Sequence, residues 1–170
     1  MYEIGEYIIY GNEGVCQVES IGRPEFSIKK DVDYYTLKPL YQPGKIYAPV
    51  DTATFMRPVI SEEEAKSLIA QIPHIKEDFC REKDVRALTD HYEKSLQTHR
   101  CEDLIQLIKT VFLKQHADME NGKKVSQTDE RYMKKAEDTL YGEFSVVLDI
   151  PLEEVRAYIT REVEGGHGQA

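Results

Sequence analysis

The hydrophobic period of this chain changes once, and that change constrains the fold more than any single residue does. Over Tyr2 to Val50, short runs rich in β-branched and aromatic residues are separated by turn residues. The runs are Glu6 to Tyr10, Val15 to Ile21, Asp33 to Tyr41 and Lys45 to Val50, split by Gly11-Asn-Glu-Gly14, a polar loop and Gln42-Pro-Gly44. Such punctuation predicts antiparallel strands, with the glycines supplying the positive φ of tight connections. Alternation in the third run puts Val32, Tyr34, Thr36 and Lys38 on one face and Asp33, Tyr35, Leu37 and Pro39 on the other. Pro39 and Pro49 donate no ladder bond and mark strand ends or edges. The expected module is a small β-barrel of the Tudor or SH3-like kind. Thr52 to Val59 is expected to be a connector whose Phe55 and Met56 plug it.

Beyond Val59 the period lengthens to that of helices. Ser61-Glu-Glu-Glu64 has the spacing of a capping box, and the helix it opens carries Ala65, Leu68, Ile69 and Ile72 inward and stops before Pro73. A second helix is predicted over Phe79 to Gln97 with Val85, Leu88, Tyr92 and Leu96 on one face, and Thr98 as N-cap of a third. The third carries Leu104, Ile105, Leu107, Ile108, Val111 and Phe112, and Asn121-Gly122 ends it. Ser126 with Asp129 is a capping pair for a long helix lined by Tyr132, Met133, Ala136, Leu140, Phe144 and Val147, and Pro151 opens a last one. The predicted class is α+β: a β domain over 1–58, an all-α helical domain over 59–164 and a disordered tail over 165–170.

Charge and composition limit the functions open to this chain. The 170 residues carry a formal net charge of −9, which opposes binding nucleic acid by bulk electrostatics. Acids and bases balance from Lys76 to Lys124, whereas Ser126 to Val163 has nine acids against five bases, so the middle segment is the better DNA candidate. No apolar run approaches the roughly 18 residues of a membrane span. The opening residues have neither a basic nor an apolar leader region, and Cys16, Cys80 and Cys101 are odd in number and widely spaced. Together these predict a cytoplasmic protein with reduced thiols. Phosphate-loop, dinucleotide, nucleophile-elbow and zinc-protease motifs are all absent. The expectation is a non-enzymatic protein without cofactor or metal.

The stretch Gly5-Glu-Tyr-Ile-Ile-Tyr-Gly-Asn-Glu-Gly-Val-Cys-Gln-Val-Glu-Ser-Ile21, with Tyr34-Tyr-Thr-Leu37 and Tyr47-Ala-Pro-Val50, resembles the CarD/CdnL family of bacterial transcription regulators. Gly5, Tyr10 and Gly14 stand where that family has its glycines and tyrosine, without a gap; Glu6 replaces the usual Asp, Gly11 the Pro and Glu13 the His. The resemblance implies docking on the β subunit of RNA polymerase by strand addition, through Lys45, Ile46 and Tyr47 with Arg23 in the preceding loop. Arg23 keeps one basic position of the family, and Tyr47 replaces the other. It also implies a helical domain lying against promoter DNA near the upstream edge of the bubble, where a tryptophan is often wedged. This chain has no Trp; Val85 falls near that place, with Phe79 and Tyr92 the nearest aromatics. Arg86, Lys94, Arg100 and Lys109 are the candidate phosphate contacts. The resemblance extends to the transcription-repair coupling factor, whose helicase motifs are missing here. The implied role is modulation of promoter opening; the alternative is a protein–protein adaptor without DNA contact.

Overall fold

The computed structural model of the chain describes residues 1–26, 31–82 and 84–167. Two compact units divide at Ser61 and Glu62. The first is one antiparallel sheet of β1 (Tyr7–Tyr10), β2 (Gly14–Gly22), β3 (Tyr34–Pro39), β4 (Ile46–Pro49) and β5 (Met56–Pro58), in the order β4-β3-β2-β1-β5. The α+β class is as expected, but the barrel is replaced by an open sheet. No ladder joins β4 to β5 among the described residues. Both edge strands are short, and each ends on a proline that cannot extend a ladder.

Inward residues follow the alternation of β3. Tyr35 and Leu37 are buried with Ile8, Cys16, Val18 and Ala48, and Ile46 and Met56 pack half-buried against that cluster. Met56 therefore joins the core as expected, whereas Phe55 is exposed. The fifth strand sits where a connector was expected. Just before it the Phe55 carbonyl accepts from Gly11 N at 2.8 Å, and just after it Val59 N donates to Tyr7 O at 3.3 Å, so β1 is paired on both sides. The β1–β2 turn depends on Gly11 (φ +46°) and Gly14 (φ +79°), and a Cβ at Gly11 would lie 2.9 Å from Thr54 Cγ2. Between Val18 and Ser20 the β2–β3 register shifts, making Glu19 a bulge residue.

Burial, followed by the charge of Glu13, pushes the Cys16 thiol up from 9.0 to about 11. An acid with its proton held more tightly in the folded state favours folding fully below the unfolded value and loses that advantage as pH rises above it. Between pH 9.0 and about 11 the stability of the sheet unit should therefore decline on account of this thiol. Urea titrations at several pH values should show that decline in the native chain and a shallower one in Cys16→Ala.

The second unit contains α1 (Glu62–Gln71), α2 (Val85–Gln97), α3 (Cys101–Glu120), α4 (Gln127–Leu148) and α5 (Val155–His167). Short 3₁₀ turns occupy Ile72–His74, which contains Pro73, and Leu152–Glu154, which follows Pro151. The second helix begins later than Phe79, because the Asp84 side chain accepts from Arg86 N and caps it at Val85. Thr98 is the C-cap of α2 rather than an N-cap, and Arg100 takes that place for α3. Ser126 caps α4 as expected, its Oγ accepting from Asp129 N at 3.3 Å. Asn121 and Gly122 (φ +70°) end α3. Helix α5 runs on to His167, beyond the predicted end of the helical domain at 164. Residues 168–170 of the expected tail lie outside the described residues.

The helical core holds Leu88, Tyr92, Leu104, Ile105, Leu107, Val111, Tyr132, Ala136, Leu140, Phe144 and Val155. A polar network crosses it. Asp129 is fully buried in the first turn of α4, where its charge meets the positive helix end. Its Oδ1 accepts from Tyr92 Oη at 2.7 Å and Lys114 Nζ at 3.2 Å. Lys114 Nζ is 3.1 Å from Oδ2 as well, at an angle unsuited to a hydrogen bond, so Coulomb attraction alone serves that oxygen. Burial first, then this bond and the Asp129 charge, push the Tyr92 hydroxyl well above its ordinary value.

Candidate functional site

Among the described residues, no strand pairs with the outer side of β4. Its partners across β3 are Leu37 for Ile46, Thr36 for Tyr47, Tyr35 for Ala48 and Tyr34 for Pro49. Val50 N donates to Asp33 O at 2.9 Å, which sets the parity of the ladder. Antiparallel pairs alternate between bonded and non-bonded, so Ile46 and Ala48 bond to β3 while Tyr47 turns its N–H and C=O outward. Lys45 has the same parity as Tyr47. Pro49 also has it, but offers no N–H, and its carbonyl accepts from Thr52 N at 3.0 Å. The strand therefore presents a short outward donor–acceptor set centred on Tyr47.

Side chains alternate in the same way. Ile46 and Ala48 face the core, and Tyr47 faces out, 42% exposed. The Tyr47 ring meets the Phe26 ring edge-on, with centroids 4.7 Å apart and planes at 80°. Phe26 is 60% exposed. It follows β2 in a loop, and nothing in its local sequence links it to β4.

Both cations predicted for this edge already have carboxylates beside them. Lys45 Nζ lies 3.1 Å from Glu19 Oε2, on the bulge of β2, and Arg23 Nε lies 3.9 Å from Asp33 Oδ1. Exposed pairs of this kind contribute about 0–1 kcal/mol, so they adjust local charge more than they fix structure. Of the four residues predicted at the edge, Lys45, Ile46 and Tyr47 are contiguous, and Arg23 stands near Asp33 at the far end of β3. Ile46 differs from the others in pointing into the core.

The residues predicted for DNA contact are less uniform. Val85 is the first residue of α2, 64% exposed, and Arg86 follows it at the surface. Lys94 is exposed in the last turn of α2, two turns beyond Arg86, with exposed Asp90 midway between them on the same side. Arg100 reaches Glu102 at 3.0 Å. Lys109 is held in the fold: its Nζ donates to Ile72 O and Ile75 O, each at 2.6 Å, and lies 3.7 Å from Glu77 Oε1. It satisfies carbonyls at the end of the first helical segment, as a cation there should. Gln106, one turn before Lys109, donates to Lys76 O, and Thr110, the residue after it, accepts from Asp78 N, so both fasten the same segment to α3. Of the two aromatic alternatives, Phe79 is exposed ahead of α2, and Tyr92 is buried.

Lys109→Met should therefore lower the stability of the helical unit by about 2 kcal/mol through loss of charge-assisted bonds. Chemical denaturation followed by circular dichroism would detect it. An unchanged midpoint would return Lys109 to the set of surface cations.

Among the described residues, no group of three or more His, Cys, Asp or Glu side chains is arranged to hold a metal ion. No helix there is long and apolar enough to cross a membrane. No curated protein matches the chain. Residues 2–60 match the family model described as the CarD-like/TRCF RID domain, which covers all five strands and stops before α1. The likeness to that family therefore rests on the sheet unit, about a third of the chain.

Proposed function

We propose that this protein is a bacterial transcription regulator that docks on the β subunit of RNA polymerase, adding the outward edge of β4 to a strand of its partner. The observation that carries the reading is the family match over 2–60 together with the outward backbone groups at Tyr47 on an edge strand. In strand addition, main-chain bonds supply affinity and neighbouring side chains select the partner. Lys45 and Arg23 flank that edge, and Ile46 anchors β4 to the core beneath it. Once docked, the protein modulates open-complex formation by holding one promoter state more tightly than the other. It acts in the cytoplasm without catalysing a reaction.

A second reading, an adaptor without DNA contact, is favoured by the state of the helical cations. Lys109 is bonded to carbonyls, Arg100 is beside Glu102, and the unit from Glu62 onward carries 23 acids against 16 bases. Affinity purification of the tagged full chain from its native cells should recover polymerase subunits. Their absence at low salt would overturn the docking proposal. Salt-dependent binding of the full chain to forked promoter DNA supports contact through Val85, Arg86, Lys94 and Arg100; no binding supports the adaptor.

A further inference from the structure

The edge-on pair of Phe26 and Tyr47 suggests which chemistry the β4 edge accepts, granted the proposed docking on polymerase. Isolated exposed apolar side chains are ordinary on protein surfaces. Here, however, two exposed aromatic rings touch, and one of them belongs to the residue whose backbone N–H and C=O turn outward. In an antiparallel addition, the partner residue bonded to Tyr47 has its side chain on the Tyr47 side of the sheet. That side chain would lie against the aromatic pair.

Charge near the edge points the same way. Lys45 and Arg23 each have a carboxylate of their own unit nearby, at 3.1 and 3.9 Å. An acidic partner strand would compete with Glu19 and Asp33 for those cations. An apolar side chain meets no such competition and gains from covering the rings.

We infer that Phe26 and Tyr47 form a selectivity clamp for a partner strand of RNA polymerase bearing an aromatic or large aliphatic side chain opposite Tyr47. Recognition there is apolar and only weakly dependent on salt. Phe26 is an interface residue that strand-addition geometry alone would not identify.

The test is equilibrium binding of the full chain to purified RNA polymerase core from its own cells. Phe26→Ala and Tyr47→Ala should each weaken binding by about tenfold or more, the scale of a central interface residue. Tyr47→Phe, which keeps the ring, should recover most of the affinity. Moving from about 50 to about 300 mM salt should change the native dissociation constant less than about threefold, since ion pairs are screened over that range. Thermal unfolding of both alanine variants should match the native chain, because the rings are exposed. If polymerase binds but both alanine variants bind as the native chain does, the clamp is wrong and docking stands. A steep salt dependence also overturns the clamp. No binding by the native chain overturns docking, and the clamp's partner with it.

Discussion

Tyr47→Pro is expected to abolish polymerase binding while leaving the sheet unit folded, whereas Ile46→Pro one residue earlier is expected to unfold it. Proline removes a backbone N–H and is tolerated in strands mainly where that N–H faces away from the sheet. The ladder parity set by Val50 N to Asp33 O gives Tyr47 that position, while Ile46 is paired inward with Leu37. Tyr47→Pro therefore deletes the outward donor and the ring together, for a loss of at least about a hundredfold in affinity, or about 2.7 kcal/mol. Ile46→Pro breaks a ladder bond and removes a side chain packed on the core, at a cost of about 3 kcal/mol or more. Circular dichroism and polymerase capture, measured on both variants, separate the two effects. Folded Ile46→Pro beside unfolded Tyr47→Pro would reverse the parity and move the edge donor. The contrast also argues against a charged residue at Ile46 as a test of docking, since lost binding would then reflect lost packing.

The second large effect lies in the helical unit. Asp129→Ala should destabilise it by about 3–5 kcal/mol, the range for breaking a buried charge arrangement by removing one partner. The substitution strips the acceptor from Tyr92, which is buried, and the counter-charge from Lys114. Asp129→Asn keeps an oxygen for the Tyr92 hydroxyl and should lose clearly less. Because the chain has two units, unfolding should be followed with a probe specific to the helices, and the midpoints compared within that transition. Equal losses for the two variants would show that charge, rather than the bond to Tyr92, stabilises the network.

Local pattern disclosed much of this architecture because local chemistry governs it. The first four strands, the alternation of Tyr35 and Leu37 against Tyr34 and Thr36, and the Ser126 cap all arise from neighbouring residues. β5 is not legible in the sequence because Met56–Pro58 is three residues long and ends in proline, so its strand character comes from pairing with β1. Composition alone starts α2 too early because Phe79 belongs to the apolar run, while the Asp84 cap decides the boundary. At the candidate site, the motif from Gly5 to Ile21 and the residues Lys45 to Tyr47 were legible through resemblance. Phe26 was not, since it reaches Tyr47 across a loop. Nor were the Glu19–Lys45 pair, which depends on the bulge, or the hold on Lys109, which depends on where the Ile72–Ile75 turn meets α3. Each of these depends on contacts between residues distant in sequence.

Amide hydrogen exchange of the full chain, alone and bound to RNA polymerase, tests the docking edge most directly. The Tyr47 amide faces away from β3 in the free protein and should exchange quickly there, while Ile46 and Ala48 are held in the ladder. On binding, Tyr47 should become protected along with its neighbour Lys45, and the β5 amide of Met56 should not change. Polymerase binding that leaves Tyr47 exchanging as fast as in the free chain, or that protects Met56 instead, would contradict strand addition at β4.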